Sequence, residues 1–255
     1  MTTLHELETV HELSPLQQGI LFRALYEPAS EAYFIQLACT LAGGLDPAAF
    51  RRAWDEAVSR HGALRSAFRW EELEKPLQIV FRAAEMPWRE EDWRSLEPAE
   101  RDARWQAHLE ADRAGGFALH QAPLARAALI RTGDQEWRFA WSVHHLLLDG
   151  WSVPLVFRDV LGAYGAFAEG RAPALPRARP FVDYVTWLQG QDEAAAERFW
   201  RRRLRGFAAP TPVGGEAAAG AGARRQDEAA LELPAGAAAG LRALAREHGV
   251  TAATA

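Results

Sequence analysis

Two adjacent histidines, His144 and His145, follow an alternating apolar run, Phe139, Trp141 and Val143; Asp149 and Gly150 stand four and five residues beyond His145. Imidazole changes charge near neutral pH, so such a pair suits proton transfer, hydrogen bonding to a reacting amine, or metal ligation. Neighbouring side chains on a strand point to opposite faces, so the two rings have different tasks. One is expected to face a cavity and the other to brace the backbone, with Val143 and His145 on one face and Ser142 and His144 on the other. Opposite faces argue against one ion held by both rings, and no further Cys, His or Glu cluster is near, so no metal is expected. Asp149 can close the turn or pair with an arginine, and Gly150 leaves room for a ligand or another backbone. On spacing alone, two structural histidines at a strand end are an equal reading.

The histidines need a strand, and the strand needs partners. Leu124 to Arg131 and Trp137 to His145, joined at Gly133-Asp134, read as a hairpin. Ser14-Pro15 opens a helix with Leu16, Ile20 and Leu21 at helical spacing. Phe34 to Leu41 reads as a strand, and Asp46-Pro47 starts a helix whose buried stripe is Phe50, Trp54 and Val58. Leu64 to Trp70 and Leu77 to Phe81 form a strand pair, Pro98 opens a helix carrying Trp105 and Leu109, and Pro154 to Ala168 is helical. Phe181 to Leu204 reads as one long helix with Tyr184, Leu188, Phe199 and Trp200 buried. Pro210 to Ala229 reads as a linker, followed by a short strand at Leu231 to Leu233 and a helix from Gly236 to His248. Strands interleaved with helices, with hairpins among them, indicate a mixed α/β sandwich.

Composition sets the frame. The 255 residues are 49% hydrophobic and 25% charged with net charge -5 and interspersed signs, a pattern that suggests neither a nucleic-acid nor a membrane partner. The first ten residues lack the apolar core of a signal peptide, and no stretch approaches a membrane span, so a cytoplasmic protein is expected. Cys39, in an apolar run, is expected to be buried and inert. His5, His11, His108, His120 and His248 are expected at the surface, and Lys75 is the only lysine.

His144-His145-x-x-x-Asp149-Gly150 resembles the HHxxxDG signature of the condensation domains of non-ribosomal peptide synthetases, members of the chloramphenicol-acetyltransferase-like superfamily. Leu13-Ser14-Pro15-Leu16-Gln17-Gln18-Gly19-Ile20-Leu21-Phe22 resembles the family's opening motif. The stretch Arg60-His61-Gly62-Ala63-Leu64-Arg65-Ser66-Ala67-Phe68 resembles RHxxLRTxF, with Ser66 for Thr and Gly62 where Glu is usual. Asp183-Tyr184-x-x-Trp187 resembles YxDYxxW, with Phe181 in the tyrosine's place.

The resemblance implies a chloramphenicol-acetyltransferase-like α/β sandwich, one lobe of a V-shaped two-lobe domain. Residues 1–206 match the first lobe, 207–230 a linker and 231–255 the start of the second. It implies an acyltransferase that forms an amide between a donor aminoacyl or peptidyl thioester and the amine of an acceptor aminoacyl thioester. Both would be carried on phosphopantetheine of upstream and downstream peptidyl carrier domains, beside an adenylation domain, with no cofactor bound directly. His145 is implied to act on the amine, either as base or by positioning. His144 would hold the loop, Asp149 would form a structural brace with a buried Arg65, and Gly150 would leave room for the acceptor arm. Arg60 is a second supporting cation, and Trp151 and Ser152 are candidate tunnel residues. The opening motif resembles that of domains taking a D-configured donor. Epimerization, a stand-alone HHxxxDG acyltransferase, and a fragment with only a docking or structural role are the rival readings. The chain alone is expected to fold over its first two hundred or so residues, pack loosely after Leu231 and form no peptide bond.

Overall fold

A computed structural model of the chain describes residues 6–28, 30–209 and 231–254. It divides into two compact units, Met1–Phe207 and Ala208–Ala255. The first begins with β1 (Leu7–Glu12), α1 (Pro15–Tyr26), β2 (Phe34–Ala42) and α2 (Pro47–Arg60). A short 3₁₀ turn (Gly62–Arg65) leads into β3 (Ser66–Arg69), β4 (Leu77–Phe81) and β5 (Trp88–Asp92). Then come α3 (Pro98–Gly115), β6 (Ala125–Gly133), β7 (Glu136–His144), α4 (Ser152–Ala168), α5 (Phe181–Gln189) and α6 (Glu193–Arg203).

The hairpin β6–β7 is the centre of a four-stranded sheet of order β2-β7-β6-β5, antiparallel except for the parallel pair β5–β6. The antiparallel trio β1-β4-β3 forms the second sheet. One face of β7 offers Trp137, Phe139, Trp141 and Val143 to the main core, all at most 5% exposed. Against them α2 sets Phe50, Trp54 and Val58, the stripe expected from its spacing, and α4 sets Val156 and Val160. Trp54 lies 5.1 Å from Trp141 and 5.5 Å from Phe139 between ring centroids, so a tilted aromatic stack fixes the strand against the helix. On the other face, Trp105 of α3 packs with Trp93, Ile130 and Ala140.

Several sequence expectations are corrected. Leu64 and Arg65 belong to the 3₁₀ turn, so the strand begins at Ser66. The expected long helix breaks at Gly190, where α5 ends, and restarts from the Asp192 cap of α6. The buried residue of that region is Val185, whereas Tyr184, Phe199 and Trp200 are exposed. Cys39 is exposed, since β2 is an edge strand. In the second unit α7 (Ala235–Glu247) forms nearly where expected, but Leu231 to Leu233 is not a strand. The expected linker falls mostly on residues 210–230, outside the described residues, as does His5.

Candidate active site around His145

The turn bearing His145 is fixed at successive backbone groups. His144 is the last residue of β7, and its N–H donates to Leu124 O at 3.0 Å. The His145 N–H donates to Tyr33 O at 2.9 Å, one step past the β2–β7 ladder. The Leu146 N–H donates to Nδ1 of His144 at 3.1 Å, and the Leu146 carbonyl accepts from Nε2 of Gln17 at 3.1 Å. Leu146, Leu147 and Leu148 are buried, so the loop is anchored by apolar side chains as well.

The strand ends before His145, so strand alternation does not by itself orient that ring. Both imidazoles lie near Tyr33, with centroids 6.4 Å and 6.5 Å away, but only His144 lines the 330 Å³ cleft formed with Leu25, Trp70, Arg113 and Phe117. The expected division of labour is therefore corrected: His144 both braces the backbone and faces a cavity. Its Nδ1 accepts a hydrogen bond, so the ring is neutral with its proton on Nε2. Burial, reinforced by the neighbouring His145, pushes its pKa down to about 4. His145 is half-buried, and its Nδ1 is buried without a hydrogen-bond partner among the described residues. Its Nε2 makes no hydrogen bond among the described residues either. Among the described residues no group of three His, Cys, Asp or Glu side chains could hold a metal ion.

The titration of His144 gives a testable pH dependence. The unfolded chain binds its proton near pH 6.5 and the folded chain only near 4, so this contribution is complete above 6.5 and is lost as pH falls towards 4. Between pH 7 and 5 wild type should lose about 2 kcal/mol more stability than His144→Asn, which keeps an acceptor but cannot titrate. Urea unfolding at the two pH values measures this difference. Parallel losses in the two proteins would refute it.

The brace expected between Arg65 and Asp149 does not form. Arg65 is buried at 5% exposure, but its guanidinium meets Glu8 of β1 at 2.7 Å and the carbonyls of Val58 and Phe81. Asp149 is exposed and has no arginine within salt-bridge reach among the described residues. Its carboxylate accepts from the N–H and Oγ of Ser152 at 2.8 and 2.6 Å, closing the turn that opens α4. The Ser152 hydrogen bonds hold its pKa below the usual carboxylate range. The reason is geometric: β1 and the 3₁₀ turn pair Arg65 on the second sheet, while Asp149 caps a helix on the first.

Arg60 does find a buried acid, ten residues beyond Asp149. Asp159 of α4, 2% exposed, accepts from Arg60 at 2.9 Å and contacts His61 Nε2 at 3.1 Å and Arg158 at 3.0 Å. Burial works to raise its pKa, but hydrogen bonds from Arg158 and Arg60 outweigh that and hold it low. Burial pulls the His61 pKa down, against the attraction of Asp159. This cluster ties α2 to the helix that follows the His145 turn. A Cβ on Gly150 would meet nothing within 4 Å, so the space beside it is open. Trp151 is 87% exposed and Ser152 half-buried; neither lines the cleft that His144 faces.

Sequence reasoning missed Asp159, Glu8 and Gln17. The spacing Ser14-x-x-Gln17 is a capping-box signature and could have flagged Gln17, but only as a helix start. Nothing local marks Asp159 as buried.

Comparison with known proteins finds relatives and a shared fold. The chain aligns at 46% identity over 213 residues with a linear gramicidin synthase of Brevibacillus parabrevis, covering 84% of this chain and 3% of that protein. It is 36% identical over 230 residues to bacitracin synthase 3 of Bacillus licheniformis, covering 90% of this chain and 4% of that one. The first condensation domain of the calcium-dependent antibiotic synthetase, solved in complex with a substrate analogue, shares the fold with TM-score 0.78 at 22% identity, over 97% of this chain and 59% of that one. The chain thus spans a few per cent of these synthetases and little more than half of a solved condensation domain. Residues 7–255 match the Condensation domain family, so the clamped His145 turn and its supporting clusters stand in a chain that belongs to that family.

Proposed function

We propose that the chain supplies the His145-bearing lobe for aminolysis of a carrier-bound thioester. The observation that carries this reading is the His145 turn, which fixes the backbone on both sides of an imidazole whose Nδ1 is buried and whose Nε2 is left for a reactant. The donor acyl group and the acceptor aminoacyl group are each tethered by phosphopantetheine to a carrier domain of a synthetase that also contains an adenylation domain. The acceptor amine attacks the donor carbonyl, a C–N bond forms and the C–S bond breaks. The amine's proton ends on the departing thiolate. A thioester is already an activated acyl group, so no covalent enzyme intermediate is required. Holding two tethered reactants in line can lower the barrier by about 7–11 kcal/mol.

No carboxylate orients the His145 ring among the described residues, in contrast to a nucleophile-activating triad. We therefore assign His145 chiefly to hydrogen bonding and placing the amine through Nε2. His144 holds the loop, Asp149 caps α4, Arg60 and Arg65 support the fold through Asp159 and Glu8, and Gly150 leaves space for the acceptor arm.

The test supplies a two-lobed domain carrying this chain as its first lobe with both carrier domains loaded. An amide-linked product on the acceptor carrier is expected. Solvent exchange of the donor α-hydrogen without amide formation would point to epimerization and overturn the reading, as would ester formation with a free alcohol.

A further inference from the structure

A chain of buried side-chain amides and hydroxyls runs from the first helix to the turn after His145. Gln17, on the first turn of α1, donates through Nε2 to the Leu146 carbonyl at 3.1 Å and to Oε1 of Gln78 at 2.9 Å. Its Oε1 accepts from the N–H and Oγ of Ser14 at 3.0 and 3.1 Å. Gln78 of β4 donates to Ser66 Oγ at 2.9 Å, and Ser66 donates to Gly62 O at 2.8 Å. Ser14, Gln17, Gln78 and Ser66 are all at most 7% exposed. Every amide hydrogen bond of Gln17 is thus made inside the protein, and one of them reaches 129 residues along the chain.

Leu146 is held on both sides, its N–H by His144 and its carbonyl by Gln17. Its peptide N–H is also the next backbone group after His145. Buried hydrogen-bond networks of this kind over-determine a backbone conformation, because releasing one member leaves another unpaired in a low-dielectric interior.

We propose that Gln17 is a positioning residue for His145, clamping the Leu146 carbonyl so that the imidazole is presented in one orientation. The proposal rests on His145 as the reacting group. Ser66 and Gln78 act through Gln17 by fixing its amide, which couples the second sheet to the candidate site on the first.

Gln17→Glu removes this contact. Glutamate keeps the oxygen that accepts from Ser14, so the α1 cap survives, and Gln78 can turn its amide to donate to the new carboxylate. The donor to Leu146 is lost, and the turned Gln78 presents Oε1 to Ser66 Oγ in place of its N–H, a side-chain change that leaves the backbone bonds of α1 and β4 intact. In the 255-residue chain, hydrogen exchange at the Leu146 amide should rise about tenfold or more, with exchange across α1 and β4 unchanged. In the two-lobed domain kcat should fall about tenfold or more at unchanged KM, since a misplacement of about 1 Å can cost on the order of a hundredfold. Should the carboxylate prevent folding, Gln17→Met carries the same expectations at Leu146 without a buried charge. Unchanged Leu146 protection, or exchange rising uniformly over α1, β3 and β4, would overturn the clamp, as would a loosened turn with unaltered kcat. A fully active His145→Ala would instead sink the proposed function, whatever the exchange result.

Discussion

Asp159→Ala lowers the unfolding free energy by about 3 kcal/mol, whereas Asp149→Ala lowers it by about 1 kcal/mol. Asp159 is 2% exposed and is the shared partner of Arg60, His61 and Arg158. Removing it leaves the Arg60 guanidinium, whose side chain is only 14% exposed, without a counter-charge. Breaking a buried pair from one side costs about 3–5 kcal/mol. The low end applies because Arg158 is 62% exposed and rehydrates freely. Asp149 has no such dependants: it is exposed, and its loss removes one helix-capping interaction, worth about 1 kcal/mol. Urea unfolding of the three proteins reads the difference directly. A larger cost at Asp149 than at Asp159 would restore the Arg65–Asp149 brace that the sequence suggested.

What could be read from the sequence follows the range of the forces involved. The β6–β7 hairpin, the Ser14 and Asp46 caps and the Phe50, Trp54, Val58 stripe were legible because turn chemistry, capping and periodicity are local. Strand β5, with the sequence Trp-Arg-Glu-Glu-Asp, has little strand character of its own; parallel pairing with β6 imposes it. Strand β1 was likewise missed, and its Glu8 then took the place expected for Asp149 at Arg65. At the site, the pattern was enough to single out His144, His145 and Asp149, but not to say which acid meets which arginine. Partner choice depends on how two sheets and α4 are stacked, and no spacing within a motif encodes that. The helix break at Gly190 shows the same limit, since a helical pattern continued on both sides of it.

The second large effect is catalytic. A positioned imidazole that hydrogen-bonds or deprotonates the reacting amine contributes about a hundredfold to ten-thousandfold in rate. His145 is half-buried at the start of a turn, and its side chain makes no hydrogen bond among the described residues, so truncating it removes no internal bond. His145→Ala should therefore cost no more than about 1 kcal/mol of stability, the centre of the range for point substitutions. Rate and stability separate at this residue. At His144 they do not, because that ring also holds Leu146.

The most direct measurement is the single-turnover rate of amide formation between two loaded carrier domains, for wild type and His145→Ala in the two-lobed domain, with urea unfolding of the same preparations. The variant is expected to form the amide at least about a hundredfold more slowly at nearly unchanged stability. A variant that forms the amide within a few-fold of the wild-type rate would contradict it.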